Sequence, residues 1–285
     1  MQAQHDGAWY DEMYNNRTRV PEYETFLRRW AMQSAQACRY ENCELDVAYG
    51  QRDSDRLDIF LPPAAEAPVF LFVHGGYWRA LDKADHSFIA PAFIAKGACV
   101  VIPNYTLAPA ATVPEITLQV AYAVAWTWRN IARYGGDPAR IVVAGHSAGG
   151  QLATMMLACL WQQIDPALPS DVVRNALAIS ALHDLEPIMH TPFLQESLNL
   201  TPQQVAMASP ARLAPPPHGT LVSVVGGRES EEYLRQNALI RQAWGSERVL
   251  VCEAIAECNH FSVLEALTDP EQRLHQLAVE LLALR

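Results

Sequence analysis

Five consecutive residues, Gly145-His146-Ser147-Ala148-Gly149, set a serine between two spaced glycines at the end of an apolar run. Residues 141–144 read as a buried strand and residues 149–157 begin a helix, so Ser147 falls on the turn between them. Such a turn is tight, forces the serine into an unusual backbone conformation and demands small flanking residues. A hydroxyl presented this way can attack a carbonyl carbon, and the helix N-terminus behind it sets positive dipole where an oxyanion would form. Short serine-glycine patterns also occur as purely structural turns, so two further segments matter. His74-Gly75-Gly76-Tyr77-Trp78 directly follows the apolar run 69–73. Glycines after a central strand let backbone N–H groups approach developing negative charge. With the N–H of Ala148, those of Gly76 and Tyr77 would make an oxyanion hole; the alternative is a tight turn with a satisfied histidine and a core tryptophan. His74 itself reads as a residue that braces the loop. Near the C-terminus, Glu257-Cys258-Asn259-His260-Phe261-Ser262 follows the apolar run 249–252, which puts a histidine after the last strand. The chain order serine, acid, histidine would then be complete.

The acid should follow the preceding strand, residues 220–226. The next residues offer Glu229, Glu231 and Glu232 and no aspartate. Glu229 lies nearest the strand end and is assigned to orient His260. Glu231 and Glu232 read as first-turn residues of a helix, where the dipole favours them.

These segments together resemble the kynurenine formamidase (arylformamidase) branch of the α/β-hydrolase superfamily, related to the hormone-sensitive-lipase-like esterases. The likeness spans nearly the whole chain. Tyr14-Asn15-Asn16-Arg17 with Val20-Pro21 resembles the N-terminal entry segment, and Pro103-Asn104-Tyr105-Thr106-Leu107-Ala108-Pro109 resembles the tyrosine-leucine-alanine-proline loop of the esterase relatives. The resemblance implies Ser147 as nucleophile and His260 as base. Glu229 stands where the family usually has aspartate in an aspartate-serine-proline-glutamate-phenylalanine run, with Ser230 and Glu232 matching around it. Tyr77 occupies the third glycine position of the esterases' oxyanion segment.

Positioning these groups requires an alternation of strands and helices. Residues 22–37 carry Phe26, Leu27, Trp30 and Met32 on a helical period after Pro21. Residues 45–49 and 57–61 flank a polar turn and read as a β-hairpin. Strands then recur at 69–73, 98–102, 141–144, 176–179, 221–225 and 249–251. Helical stretches between them, including 113–134 and 233–244, are long enough for right-handed crossovers. The fold class expected is α/β: an α/β-hydrolase fold with a mostly parallel eight-stranded sheet flanked by helices. One domain, 1–285, is expected, with 1–43 as an N-terminal helical segment. Residues 181–218 hold prolines and no apolar strand, which predicts a small helical cap over the serine. Trp78, Tyr105 and Phe193 are candidates for a substrate pocket, with core packing as the other reading.

Composition narrows the partners. A net charge of −10 argues against nucleic acid and anionic membranes, and no apolar stretch is long enough to span a bilayer. The cysteines Cys38, Cys43, Cys99, Cys159, Cys252 and Cys258 show no paired spacing, and no signal peptide is read at the N-terminus. A reduced, cytoplasmic protein is the expectation. His183, Asp184, Glu186 and His190 match no standard zinc spacing, so no metal and no cofactor are expected. The reading is a serine hydrolase acting through an acyl-enzyme on a small-molecule amide or ester, of the N-formylkynurenine type. Its alternatives are a general short-acyl carboxylesterase and, more remotely, a catalytically dead hydrolase fold used as a binding module. A homo-oligomer is left open.

Overall fold

The computed structural model describes residues 5–283. Three helices open the chain: α1 (Gly7–Tyr14), α2 (Asn16–Arg19) and α3 (Tyr23–Tyr40). Asp6 and Asn15 cap α1 and α2 by accepting from Trp9 N–H and Thr18 N–H. Along α3, Phe26, Trp30, Ser34 and Ala37 recur on one face and are buried, so the helix lies on the body rather than beside it.

The body is one sheet of β1 (Cys43–Ala48), β2 (Arg56–Phe60), β3 (Ala67–Val73), β4 (Cys99–Pro103), β5 (Gly136–His146), β6 (Asn175–Ile179), β7 (Thr220–Gly226) and β8 (Val249–Ile255). Their spatial order is β1-β2-β4-β3-β5-β6-β7-β8. β2 runs antiparallel to both its neighbours, and every pairing from β4 to β8 is parallel. The fold class expected from sequence is thus the one present. Every residue of β3 and β4 is buried, because helices cover both faces of the sheet centre.

α4 (Ala90–Ile94), α5 (Val113–Asn130), α6 (Ala148–Leu157) and α7 (Trp161–Ile164) supply the crossovers through β6. A capping box starts α5, with Thr112 accepting from Glu115 N–H and Glu115 reaching back to Thr112 N–H. Between β6 and β7 come α8 (Glu186–Met189), α9 (Pro192–Leu198) and α10 (Pro202–Ala208), each with proline in its first turn. Ser230 caps α11 (Glu231–Trp244), and α12 (Ser262–Ala266) and α13 (Arg273–Leu281) close the chain.

Two strands exceed their sequence-predicted lengths by four residues or more. β5 begins at Gly136, where it pairs with Ala67, and β8 runs on to Ile255. Both extensions contain polar residues that an apolar-run criterion passes over, and β8 is an edge strand whose residues 250–254 are at least partly exposed. No described helix is long and apolar enough to cross a membrane.

Candidate active site

β5 delivers its chain directly into α6, and the turn is sharp. Ser147 takes φ 57° and ψ −121°, a conformation that costs an L-residue of order 1–3 kcal/mol. The glycines on either side make this geometry possible. A Cβ on Gly145 would lie 2.0 Å from Gly149 O, and one on Gly149 would lie 2.0 Å from Val73 O. Backbone therefore meets backbone where any side chain would intrude, and Ser147 stands at the head of α6.

Facing it is the loop after β3. Gly76, Tyr77 and Trp78 all have positive φ, at 99°, 50° and 55°. Among the described residues, the N–H groups of Gly76 and Tyr77 donate to no protein acceptor, and Ala148 is a first-turn residue whose N–H lies beyond the helical ladder. Three backbone donors are thus unspent beside the serine. The loop is braced from behind: His74 contacts Asn104 Oδ1 through Nε2 at 3.1 Å, and Asn104 Nδ2 donates to Asp82 Oδ2 at 2.6 Å. Burial pulls the His74 imidazole below its ordinary value, which suits a neutral bracing ring.

His260 lies on the turn after β8. Asn259 Oδ1 accepts from the N–H groups of Phe261 and Ser262, fixing the turn that presents the histidine. His260 Nδ1 meets Glu229 Oε2 at 2.6 Å, with both side chains buried. The other carboxylate oxygen, Oε1, accepts from Gly226 N–H at 2.7 Å and from Ser180 Oγ at 2.5 Å. Glu229 is therefore gripped by three donors. Glu231 is exposed, and Glu232 accepts from Tyr14 Oη at 2.6 Å and pairs with Arg235, so neither reaches the histidine. His146 Nε2 donates to the His260 carbonyl at 2.8 Å; burial first, and then the His260 charge, hold His146 well below the usual histidine range. Ser147 and His260 line one cavity of about 220 Å³, and no hydrogen bond joins them in this structure. Catalytic bonds of this type commonly tighten only around substrate.

Of the three pocket candidates, Phe193 lines that cavity and the other two do not. Trp78 is buried in the core, where its Nε1 donates to Gln151 Oε1 at 3.1 Å; the indole finds its acceptor on α6, away from the cavity. Tyr105 is buried too, stacked on His74 at 4.3 Å and donating to the His74 carbonyl at 2.9 Å. Both are corrected to core and bracing residues.

A hydrogen-bonded chain beside the serine has no precedent in the sequence reading. Asn16 Nδ2 donates to Tyr233 Oη at 2.9 Å, Tyr233 and Tyr77 hydroxyls meet at 2.7 Å, and Tyr77 Oη donates to the Tyr14 carbonyl at 2.5 Å. Its direction follows from proton counting. The Tyr14 carbonyl can only accept, so it takes the single Tyr77 proton, and Tyr233 must be the donor to Tyr77. Burial raises the pKa of both phenols, which keeps those protons in place. The Tyr233 ring also lies 4.7 Å from the His260 ring, centre to centre, tilted at 55° to it.

Comparison with known proteins fits this geometry. The BD-FAE family profile matches residues 57–187. Kynurenine formamidase of Danio rerio is 30% identical over 246 residues, covering 84% of this chain and 81% of the relative. The chain belongs to the kynurenine formamidase-like branch of the α/β-hydrolases. The Salmo salar kynurenine formamidase is 28% identical over similar shares of both chains. Among solved structures, a proposed thioesterase from Silicibacter sp. TM1040 superposes with a TM-score of 0.81 at 32% identity, covering 93% of this chain and 96% of that one. An esterase from Pyrobaculum calidifontis, at 20% identity and a TM-score of 0.72 over 91% and 92% of the two chains, shares the fold. In this hydrolase, Ser180, Tyr233 and Asn16 are the site neighbours that sequence reasoning missed. Tyr233 carried a sequence signal, one turn beyond the cap Ser230 and four residues after Glu229, and Asn16 stood in the N-terminal segment that resembles the family's; Ser180 carried none.

Proposed function

We propose that this α/β-hydrolase is a serine hydrolase that cleaves a small aryl formamide of the N-formylkynurenine type through an acyl-enzyme. Ser147 attacks the carbonyl, His260 Nε2 takes its proton, and Glu229 accepts from Nδ1–H and stabilises the imidazolium. The backbone donors of Gly76, Tyr77 and Ala148 receive the oxyanion, each worth about 2.7–4 kcal/mol by analogy with other hydrolases. His260 then returns the proton to the leaving amine, and water repeats the sequence on the acyl-enzyme. One observation carries the reading: the 2.6 Å contact of Glu229 with His260 Nδ1 beside a cavity that Ser147 also lines.

Within that reading, residues 1–285 act as one unit, with α1 to α3 and the stretch 181–218 as its cap. Asn15, Trp30 and Phe193 from those segments line the cavity, which supports this assignment. The substrate preference rests on the formamidase relatives. A panel comparing N-formylkynurenine with 4-nitrophenyl acetate and simple aryl amides tests it, with Ser147→Ala as the blank. The expected result is kcat/KM highest on the formamide and activity lost in Ser147→Ala, with fluorophosphonate labelling confined to Ser147. Faster turnover of the simple ester would instead make the protein a carboxylesterase, and full activity in a folded Ser147→Ala would refute the serine mechanism.

A further inference from the structure

Tyr233 is a buried phenol beside the serine and histidine, with no part in the steps described so far. It sits in the first turn of α11, where its N–H donates to Ser230 Oγ, and it is fully buried behind the cavity rather than lining it. Its ring centre lies 4.7 Å from that of His260. Its Oη receives Asn16 Nδ2 at 2.9 Å and meets Tyr77 Oη at 2.7 Å. The hydroxyl of Ser147 also lies close enough to act on this phenol as a hydrogen-bond partner.

Counting protons gives each contact its direction. A phenol oxygen carries one proton and accepts through its lone pairs. Tyr77 gives its proton to the Tyr14 carbonyl at 2.5 Å, so Tyr233 gives its own to Tyr77. The Asn16 amide must then present its NH2, because its carbonyl would ask Tyr233 for a second proton. Toward Ser147, Tyr233 Oη is left as an acceptor only. Burial raises the phenol pKa, so this inventory holds at neutral pH.

We propose that Tyr233 is a positioning residue that holds the hydroxyl of Ser147 in the free enzyme and, as an acceptor only, favours the free serine over its ester. The proposal rests on the serine-hydrolase reading above and extends it to the balance between the two half-reactions. In acylation the Ser147 O–H bond breaks, its proton passes to His260 Nε2 and on to the leaving group, and Oγ bonds the acyl carbon. The ester oxygen has no proton, so Tyr233 Oη then faces it lone pair to lone pair. When water attacks, its proton passes to His260 and from there to Oγ as the C–Oγ bond breaks, and the hydrogen bond to Tyr233 returns. Acylation gives up a bond that hydrolysis restores.

A slow acylating ester, 4-nitrophenyl N,N-dimethylcarbamate, separates the two steps. Release of 4-nitrophenol gives the second-order rate of carbamoylation, and recovery of activity on 4-nitrophenyl acetate gives the rate of decarbamoylation. The readout is the ratio of the second rate to the first. Damage to the oxyanion donors slows both steps and cancels from it. Tyr233→Phe removes the acceptor without altering the cavity lining, and the ratio should fall by about three- to tenfold, the worth of one hydrogen bond between neutral groups. Tyr77→Phe frees the Tyr233 proton to serve the ester oxygen as well, so the ratio should fall there too. A ratio unchanged or raised in both variants would overturn the role of Tyr233 and leave the serine mechanism standing. Full activity in a folded Ser147→Ala would overturn both.

Discussion

Exchanging Glu229 for glutamine swaps a carboxylate oxygen for an NH2 at nearly constant shape, so it isolates what the acid does. The native carboxylate serves three donors: Gly226 N–H and Ser180 Oγ on one oxygen, His260 Nδ1 on the other. A carboxamide has one acceptor oxygen for two sides. With that oxygen left on the Gly226 side, the NH2 faces Nδ1, the ring proton moves to Nε2, and His260 can no longer take the proton of Ser147. The flipped amide restores the useful tautomer but points an N–H at the Gly226 N–H. Leaving that buried donor unpaired costs about 1–3 kcal/mol, so the productive arrangement is populated roughly thirtyfold less. A neutral amide also forgoes the charge-assisted bond to the imidazolium, about 1.5–3 kcal/mol, or a further ten- to hundredfold. The product is a loss of roughly a thousandfold in kcat/KM, close to the ~10⁴ known when a serine protease's triad aspartate is amidated. Initial rates on 4-nitrophenyl acetate measure it, with thermal melting to show that the variant is folded. Glu231→Gln is the control and should stay within about twofold, because its side chain is exposed. A Glu229→Gln protein retaining more than about a tenth of wild-type activity would refute the tautomer argument and the acid assignment with it.

Three further outcomes concern stability. Tyr77→Phe strips the Tyr14 carbonyl of its donor and the Tyr233 hydroxyl of its acceptor; the melting temperature should fall by about 5–10 °C, and an unchanged melt would show the phenol chain to be idle. Burial takes His183, and burial with the His74 charge takes His86, down to about 3. Below the unfolded histidine value near 6.5 the unfolded chain binds protons that these rings refuse, so stability should drop as pH falls from about 6.5 toward 3, by about 2 kcal/mol for each ring at about pH 5. Denaturant unfolding at a series of pH values tests this, and replacing His86 and His183 together by uncharged residues should flatten the acid slope relative to wild type. Gly145→Ala would drive a Cβ to 2.0 Å from the Gly149 carbonyl; expression with a wild-type melt would show that the elbow tolerates a side chain, whereas the expected cost is about 4 kcal/mol or more.

Much of the candidate site was readable because its constraints are local. The glycines around Ser147 report a turn that no larger residue can make, and the apolar runs before Gly145, His74 and Gly226 report buried parallel strands. Glu229 lies nearer the strand end than Glu231 in the sequence, and Ser230 caps α11 and turns the residues after it into a helix. Pocket membership was less readable. Trp78 and Tyr105 are aromatic and adjacent to the site in sequence, yet each satisfies its polar atom in the core, through Gln151 and the His74 carbonyl. Hydrophobicity and proximity alone do not say which way a ring turns.

The sequence by itself determined the alternation of strands and helices and the sharp turn at Ser147, since each depends on residues within a turn or a strand of one another. Tertiary structure alone decided what meets across the chain: Asn16 with Tyr233, Tyr14 with Glu232, Ser180 with Glu229, and Arg79 with Phe193. Those partners lie between 49 and 218 residues apart. No periodicity or turn propensity encodes such distances; the parallel order of the strands and the docking of α1 and α2 over their C-terminal ends bring them together.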